Sequence, residues 1–136
     1  MKKLVVYYSY SGNAKRLAQQ LAANESADSA EISDVKKPNK LKAYTVGVMA
    51  AIRGKSWKIQ PLAVDLSEYD SLTLFFPVWA SNPPPAFNAL LEILPSGKVI
   101  DVKAVSKSGS SECRDKIDCI IKEKGSEMAS YENIKS

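Results

Sequence analysis

Three short stretches of this chain gather hydrogen-bonding and aromatic groups at spacings that can do chemistry. The first is Ser9-Tyr10-Ser11-Gly12-Asn13-Ala14, with two serine hydroxyls around one glycine just ahead of a helical pattern. Free amides at a helix N-terminus, the helix dipole and those hydroxyls suit a phosphate, and Gly12 lets the backbone close around it. Lys15 and Arg16 fall beyond the turn, and the Gly-Lys-Ser/Thr ending of a Walker loop is absent. The same turn also serves as a plain helix cap. The second stretch, Pro77-Val78-Trp79-Ala80-Ser81-Asn82 followed by Pro83-Pro84-Pro85, sets an aromatic ring on a stiffened backbone. It is either a wall for a planar heteroaromatic ligand or a loop over a core tryptophan. The third, Ser106-Lys107-Ser108-Gly109 with Ser110 and Ser111, is rich in donors and reads as the opposite side of such a ligand or as a surface turn.

Other chemistries lack their residues. There is no histidine, and the only cysteines, Cys113 and Cys119, lie six apart, which on a helix turns them to different faces. Metal binding, hydrolysis and covalent catalysis therefore have no candidate groups, and two separate thiols are expected rather than a redox pair.

The loops need elements to hold them. Leu4-Val5-Val6-Tyr7-Tyr8 is a continuous apolar run, the pattern of a strand buried on both faces. From Asn13, the residues Ala14, Leu17, Ala18, Leu21 and Ala22 recur at helical spacing. A weak second strand is expected over 29–35 and a second helix over 41–52, closed by Gly54. Leu72 to Phe76 reads as a buried strand, and a helix carrying Ala86, Leu90, Leu91 and Leu94 follows the prolines. Then come a strand over 99–105, a helix over 112–124 and a last strand over 128–134. Alternating strands and helices imply a parallel sheet covered on both faces, with ligands outside the carboxyl ends of the strands. The loops at 9–14, 77–85 and 106–111 all lie there.

A chain of 136 residues is expected to form one domain. No apolar run approaches a membrane span or a secretory h-region, so a cytoplasmic location is expected. The net charge of +4 is uneven: Lys36, Lys37, Lys40, Lys42, Arg53, Lys55 and Lys58 are seven basic residues with no acidic one among them. Such a block suits nucleic acid, an anionic lipid surface or an acidic protein, or is a solvated helix face with its flanking loops. The last reading is preferred, and no nucleic-acid partner is expected.

Residues 4–13, with Asp65-Leu66-Ser67-Glu68-Tyr69-Asp70 running into Phe76-Pro77-Val78-Trp79-Ala80, then Pro84-Pro85 with Phe87 and the turn at Ser108-Gly109, resemble the flavodoxin family, in particular its short bacterial members. The resemblance spans most of residues 3–124 and implies a doubly wound sheet of strand order 2-1-3-4-5. It implies FMN with its phosphate on Ser9, Ser11, Gly12 and Asn13, and its ring between the loops at 77–82 and 106–110. Departures are Ala14, where a threonine hydroxyl is usual, and Phe76, where glycine is common and a large ring is expected to crowd the flavin entrance. Asp101 and Lys103 interrupt what should be an interior strand, and no segment is left for the usual last helix.

With FMN, the expected role is electron transfer with a redox partner protein. The alternatives are a flavin-dependent NAD(P)H or quinone reductase, and an interaction domain that has lost the flavin. A missing last helix would leave an apolar flank of the sheet uncovered, from which a homodimer is expected.

Overall fold

A computed structural model of the chain describes residues 2–136. β1 (Lys3–Tyr7) is buried from Leu4 to Tyr7, because layers cover it above and below. α1 (Asn13–Asn24), β2 (Asp28–Glu31), a helix α2 over residues 40–52, β3 (Ser71–Pro77), α3 (Pro85–Glu92), β4 (Val99–Ser106), α4 (Arg114–Glu123) and β5 (Glu127–Lys135) complete the order. The five strands form one parallel sheet in the order β2-β1-β3-β4-β5. Alternate residues face opposite ways. Leu4, Val6, Leu72, Leu74, Ile100 and Val102 pack beneath Phe87, Leu90 and Leu91 of α3 and Ile117 and Ile121 of α4. Val5, Tyr7, Phe75 and Val105 pack under Ala14, Ala18 and Ala22 of α1.

Several expectations change. Phe76 does not reach a ligand entrance: it is fully buried, 4.5 Å from the ring of Phe87, on the α3 face. The second strand stops at Glu31 instead of continuing to residue 35, because the chain turns out of the sheet there. Ile32 still donates to the Tyr7 carbonyl, and Asp34 then makes a lone antiparallel bridge with Ile59. α2 is not a uniform helix but runs Lys40–Lys42, a π-helical turn Ala43–Gly47, and Val48–Ile52, capped by the Asn39 side chain at 2.8 Å from the Lys42 amide. Cys113 is buried and Cys119 exposed, two separate thiols as expected.

Asp101 and Lys103 sit in an interior strand because they find partners across the β4–β5 pair. Asp101 accepts from the Ser130 hydroxyl at 2.5 Å, and the Lys103 ammonium lies 2.7 Å from Glu132. The β3–β4 pairing is regular, while the β4–β5 register shifts once, between Ile100 and Asp101. These residues occupy the α1 face of the sheet, beyond the helix that covers it. The sheet surface around Asp101, Lys103, Ser130 and Glu132 is thus largely polar rather than apolar.

Candidate functional site

At the first loop, Gly12 has φ of 105° and ψ of −12°, a left-handed conformation, and caps α1 with no side-chain hydrogen bond to the helix. The amides of the first helical turn have no intrahelical acceptor, so they point outward as donors. The Ser9 hydroxyl accepts from the Gly12 amide at 3.0 Å and braces the turn, while Ser11 and Asn13 are exposed. A β-carbon added at Gly12 would meet nothing within 4 Å, so glycine is required by backbone conformation and not by crowding. Ala14 is buried against Val5, Tyr7 and Phe75. It therefore offers the loop its amide only, and the missing threonine hydroxyl has a packing reason.

The second loop lies beside the first because β1 and β3 are neighbours. Val78 donates to the Val105 carbonyl at 2.9 Å, after which Trp79 and Asn82 exchange backbone hydrogen bonds of 2.8 and 3.0 Å. The two residues between them, Ala80 at φ 49° and Ser81 at φ 68°, form a tight turn that ordinarily takes asparagine and glycine. Asn82 steadies it by donating to the Ala80 carbonyl at 2.8 Å.

Trp79 is half-buried in an aromatic cluster. Its ring meets Tyr10 at 5.8 Å, Trp57 at 6.3 Å and Tyr8 at 6.4 Å, all edge to face. Gly47 of α2 presses on it, since a side chain there would come within 2.8 Å of the indole. Beneath the cluster the Asp34 carboxylate accepts from the Tyr8 hydroxyl at 2.7 Å and from the Trp57 ring nitrogen at 2.8 Å. Burial, and then the hydrogen bond and charge of Asp34, push the Tyr8 phenol well above the ordinary tyrosine range. Tyr131 is raised too, by burial first and then by its contact with Cys113.

Raised phenols link stability to alkali. Each ionises more readily in the unfolded chain, at about pH 10, so the stability it contributes is complete below that pH and is lost as pH rises above it. Urea midpoints are expected to be flat up to about pH 8, to fall gently as the Cys113 thiol, also raised by burial, begins to ionise in the unfolded chain, and to fall further above about pH 10, with a slope of at most roughly 1.4 kcal/mol per pH unit for Tyr8 and less for the more exposed Tyr131. Tyr8→Phe should make the slope shallower; an identical slope in that variant would contradict the assignment.

The third loop turns on itself. The Ser106 hydroxyl accepts from the amides of Gly109 at 2.9 Å and Ser110 at 3.2 Å, and the hydroxyls of Ser108 and Ser110 pair at 3.0 Å. Gly109, at φ 73°, lies close over Lys135. Lys107 and Ser108 are exposed, and the end of the loop is tied to the second by the Glu112 amide, 3.0 Å from the Ser81 carbonyl. Thus the structure gathers the loops at 9–14 and 77–82 around one cluster, while the donors of residues 106–110 are largely used within their own turn.

Sequence reasoning missed Lys37, Asp34, Trp57 and Gly47. Lys37 reaches the Tyr10 carbonyl at 3.2 Å and stands 4.9 Å from the centre of its ring, so the first loop has a cation from a distant segment. Tyr10 in turn donates to the Pro38 carbonyl at 2.7 Å. Lys15, by contrast, leans 3.9 Å toward Glu31. The basic block was the one available signal for Lys37. A surface groove of about 520 Å³ between residues 56–62 and Ala89–Ile93 lies toward the far end of α3 and belongs to none of these loops.

Sheet order, helix placement and the loops at the carboxyl edge define a flavodoxin-like α/β domain. Residues 2–130 match the family model described as flavodoxin, and the chain belongs to that family. A flavoprotein from Lactobacillus acidophilus, solved in complex with FMN, superposes with a TM-score of 0.76 at 20% identity, over 96% of this chain and 91% of that one. A Bacteroides eggerthii structure assigned as a flavoprotein gives 0.81 at 18% identity, over 96% and 86%. Oxidised flavodoxin 2 from Bacillus cereus gives 0.59 at 17% identity, over 99% and 84%. Among curated proteins no match is found. At these identities the solved structures speak to the fold. Among the described residues no helix is long and apolar enough to cross a membrane.

Proposed function

We propose that the protein binds FMN at the first two loops and serves in electron transfer. The observation that carries this reading is the uncapped N-terminus of α1 behind a left-handed Gly12, set beside a half-buried indole on the neighbouring strand's loop. The donor set fits a phosphate monoester: exposed Ser11 and Asn13, the Ser9-braced turn and the first-turn amides of α1, with Lys37 adding charge. Trp79, with Tyr10 against it, supplies apolar surface for a planar ring, and the Ala80-Ser81 turn, whose carbonyls are already bonded to Asn82 and Glu112, supplies its backbone amides at the edge. Bound flavin would supply one- and two-electron redox chemistry, and the protein would bind, orient and shield it. No acid, base or nucleophile is needed for that role, in keeping with the absence of histidine.

The test is a titration. Purified protein is expected to be yellow, or to take up FMN with quenching of tryptophan emission, and Trp79→Phe should remove most of the quenching and leave that of Trp57. A colourless protein with no response to FMN would leave the interaction-domain alternative in its place. Consumption of NAD(P)H with a quinone would instead move the role to a reductase.

A further inference from the structure

α2 is built inside out. The residues it buries are the small ones, Ala43, Gly47 and Ala51, while Leu41 and Tyr44 are 74% and 78% exposed and Val46, Met49 and Ile52 about half exposed. Leu41, Thr45, Met49 and Ile52 follow one another at the spacing of a single helix face, and that face points away from the protein. The seven cations are solvated, but the large apolar residues between them are not packed inward. Close packing on Trp79 and Trp57 explains the glycine at position 47, where a β-carbon would come within 2.8 Å of the Trp79 ring. Nothing inside the protein explains the large apolar side.

Around that side stand Lys36, Lys37, Lys40 and Lys42 at one end and Arg53, Lys55 and Lys58 at the other, and none takes part in an ion pair among the described residues. They carry +7 of a net charge of +4, which leaves the rest of the chain at −3, the difference of the two. An occupant must thus be anionic as well as apolar. A second copy of this chain would oppose seven cations with seven. Protein interfaces favour arginine and are depleted in lysine, yet six of these seven cations are lysines. Lysines flanking a helix with leucine, tyrosine, methionine and isoleucine on its open face are the arrangement of helices that lie in a membrane interface, aliphatic stems down and ammonium groups at the headgroups. At 13 residues and about 20 Å, α2 can lie on a bilayer but not cross one.

We infer that α2 is a docking surface for anionic lipid, which holds the protein against a membrane through Leu41, Tyr44, Met49 and Ile52 and the cations at both ends. The inference stands apart from the flavin reading, since it needs no cofactor.

Co-sedimentation of the full chain with vesicles tests it. Binding is expected to vesicles of phosphatidylcholine mixed with phosphatidylserine, to weaken steeply as salt rises, and to be slight with phosphatidylcholine alone. The variant Leu41→Ser with Met49→Ser and Ile52→Ser alters exposed positions only, so it should fold, and it should bind mixed vesicles about tenfold or more weakly. Lys36→Glu with Lys40→Glu and Lys42→Glu should abolish binding while leaving far-UV circular dichroism unchanged. Failure of the native chain to pellet with mixed vesicles overturns the inference. So does binding that the serine variant leaves intact, since charge alone would then account for it and an acidic protein would be the better partner.

Discussion

Replacing Gly12 by valine is expected to strip FMN from the protein while leaving far-UV circular dichroism close to native. At φ 105° the position lies outside what an L side chain accepts, and least of all a β-branched one. Forcing the loop out of this conformation carries a penalty of about 1–3 kcal/mol, or roughly 5- to 150-fold in affinity if the penalty falls on the bound form. Space is not the issue, because a β-carbon at Gly12 meets no atom within 4 Å. Alanine should therefore be nearly as harmful as valine, where a crowding mechanism would grade the two by size. Dissociation constants from flavin fluorescence decide the matter, and native affinity in the valine variant would remove the phosphate from this loop. Because Ala14 is packed in the core, Ala14→Thr is not expected to add a phosphate donor and should instead lower stability.

Asp34→Ala should lower the stability of the fold by about 1–3 kcal/mol, because the buried Tyr8 hydroxyl and the half-buried Trp57 ring nitrogen lose their acceptor together. Asparagine retains one accepting oxygen where two are used, so Asp34→Asn should fall between alanine and the native chain. Urea midpoints give the stabilities, and a red shift of tryptophan emission reports the loosening of Trp57 within the cluster around Trp79. A change below about 0.5 kcal/mol in the alanine variant would mean that solvent satisfies both donors and that the network does not hold the residue 34–59 segment over the site.

Periodicity alone was enough to give the alternation of strands and helices, because a strand buried on both faces and a helix with one apolar stripe leave signatures that repeat over a few residues. The first loop was legible for the same local reason: Gly12, the serines around it and the helix that follows are contiguous, so the uncapped N-terminus is nearly spelled out by neighbours in the chain. Trp79 was legible as an aromatic group at a strand end, and its loop is where β3 delivers it.

What only the tertiary structure decided involves residues far apart in sequence. Asp34, Trp57, Gly47 and Lys37 reach Tyr8, Trp79 and Tyr10 across separations of about 22–32 positions, and no local pattern predicts which distant carboxylate a buried hydroxyl will find. Phe76 has the same composition whether it faces a ligand or the core, and the pleat of β3 is what sends it against Phe87. Asp101 and Lys103 look misplaced in a buried strand until β5 brings Ser130 and Glu132 opposite them. Helical periodicity in α2 likewise gives an apolar side without saying which way it faces. That was decided where Trp79 and Trp57 close over Gly47 and the buried side of α2 carries only Ala43, Gly47 and Ala51, so the large apolar residues of α2 turned outward.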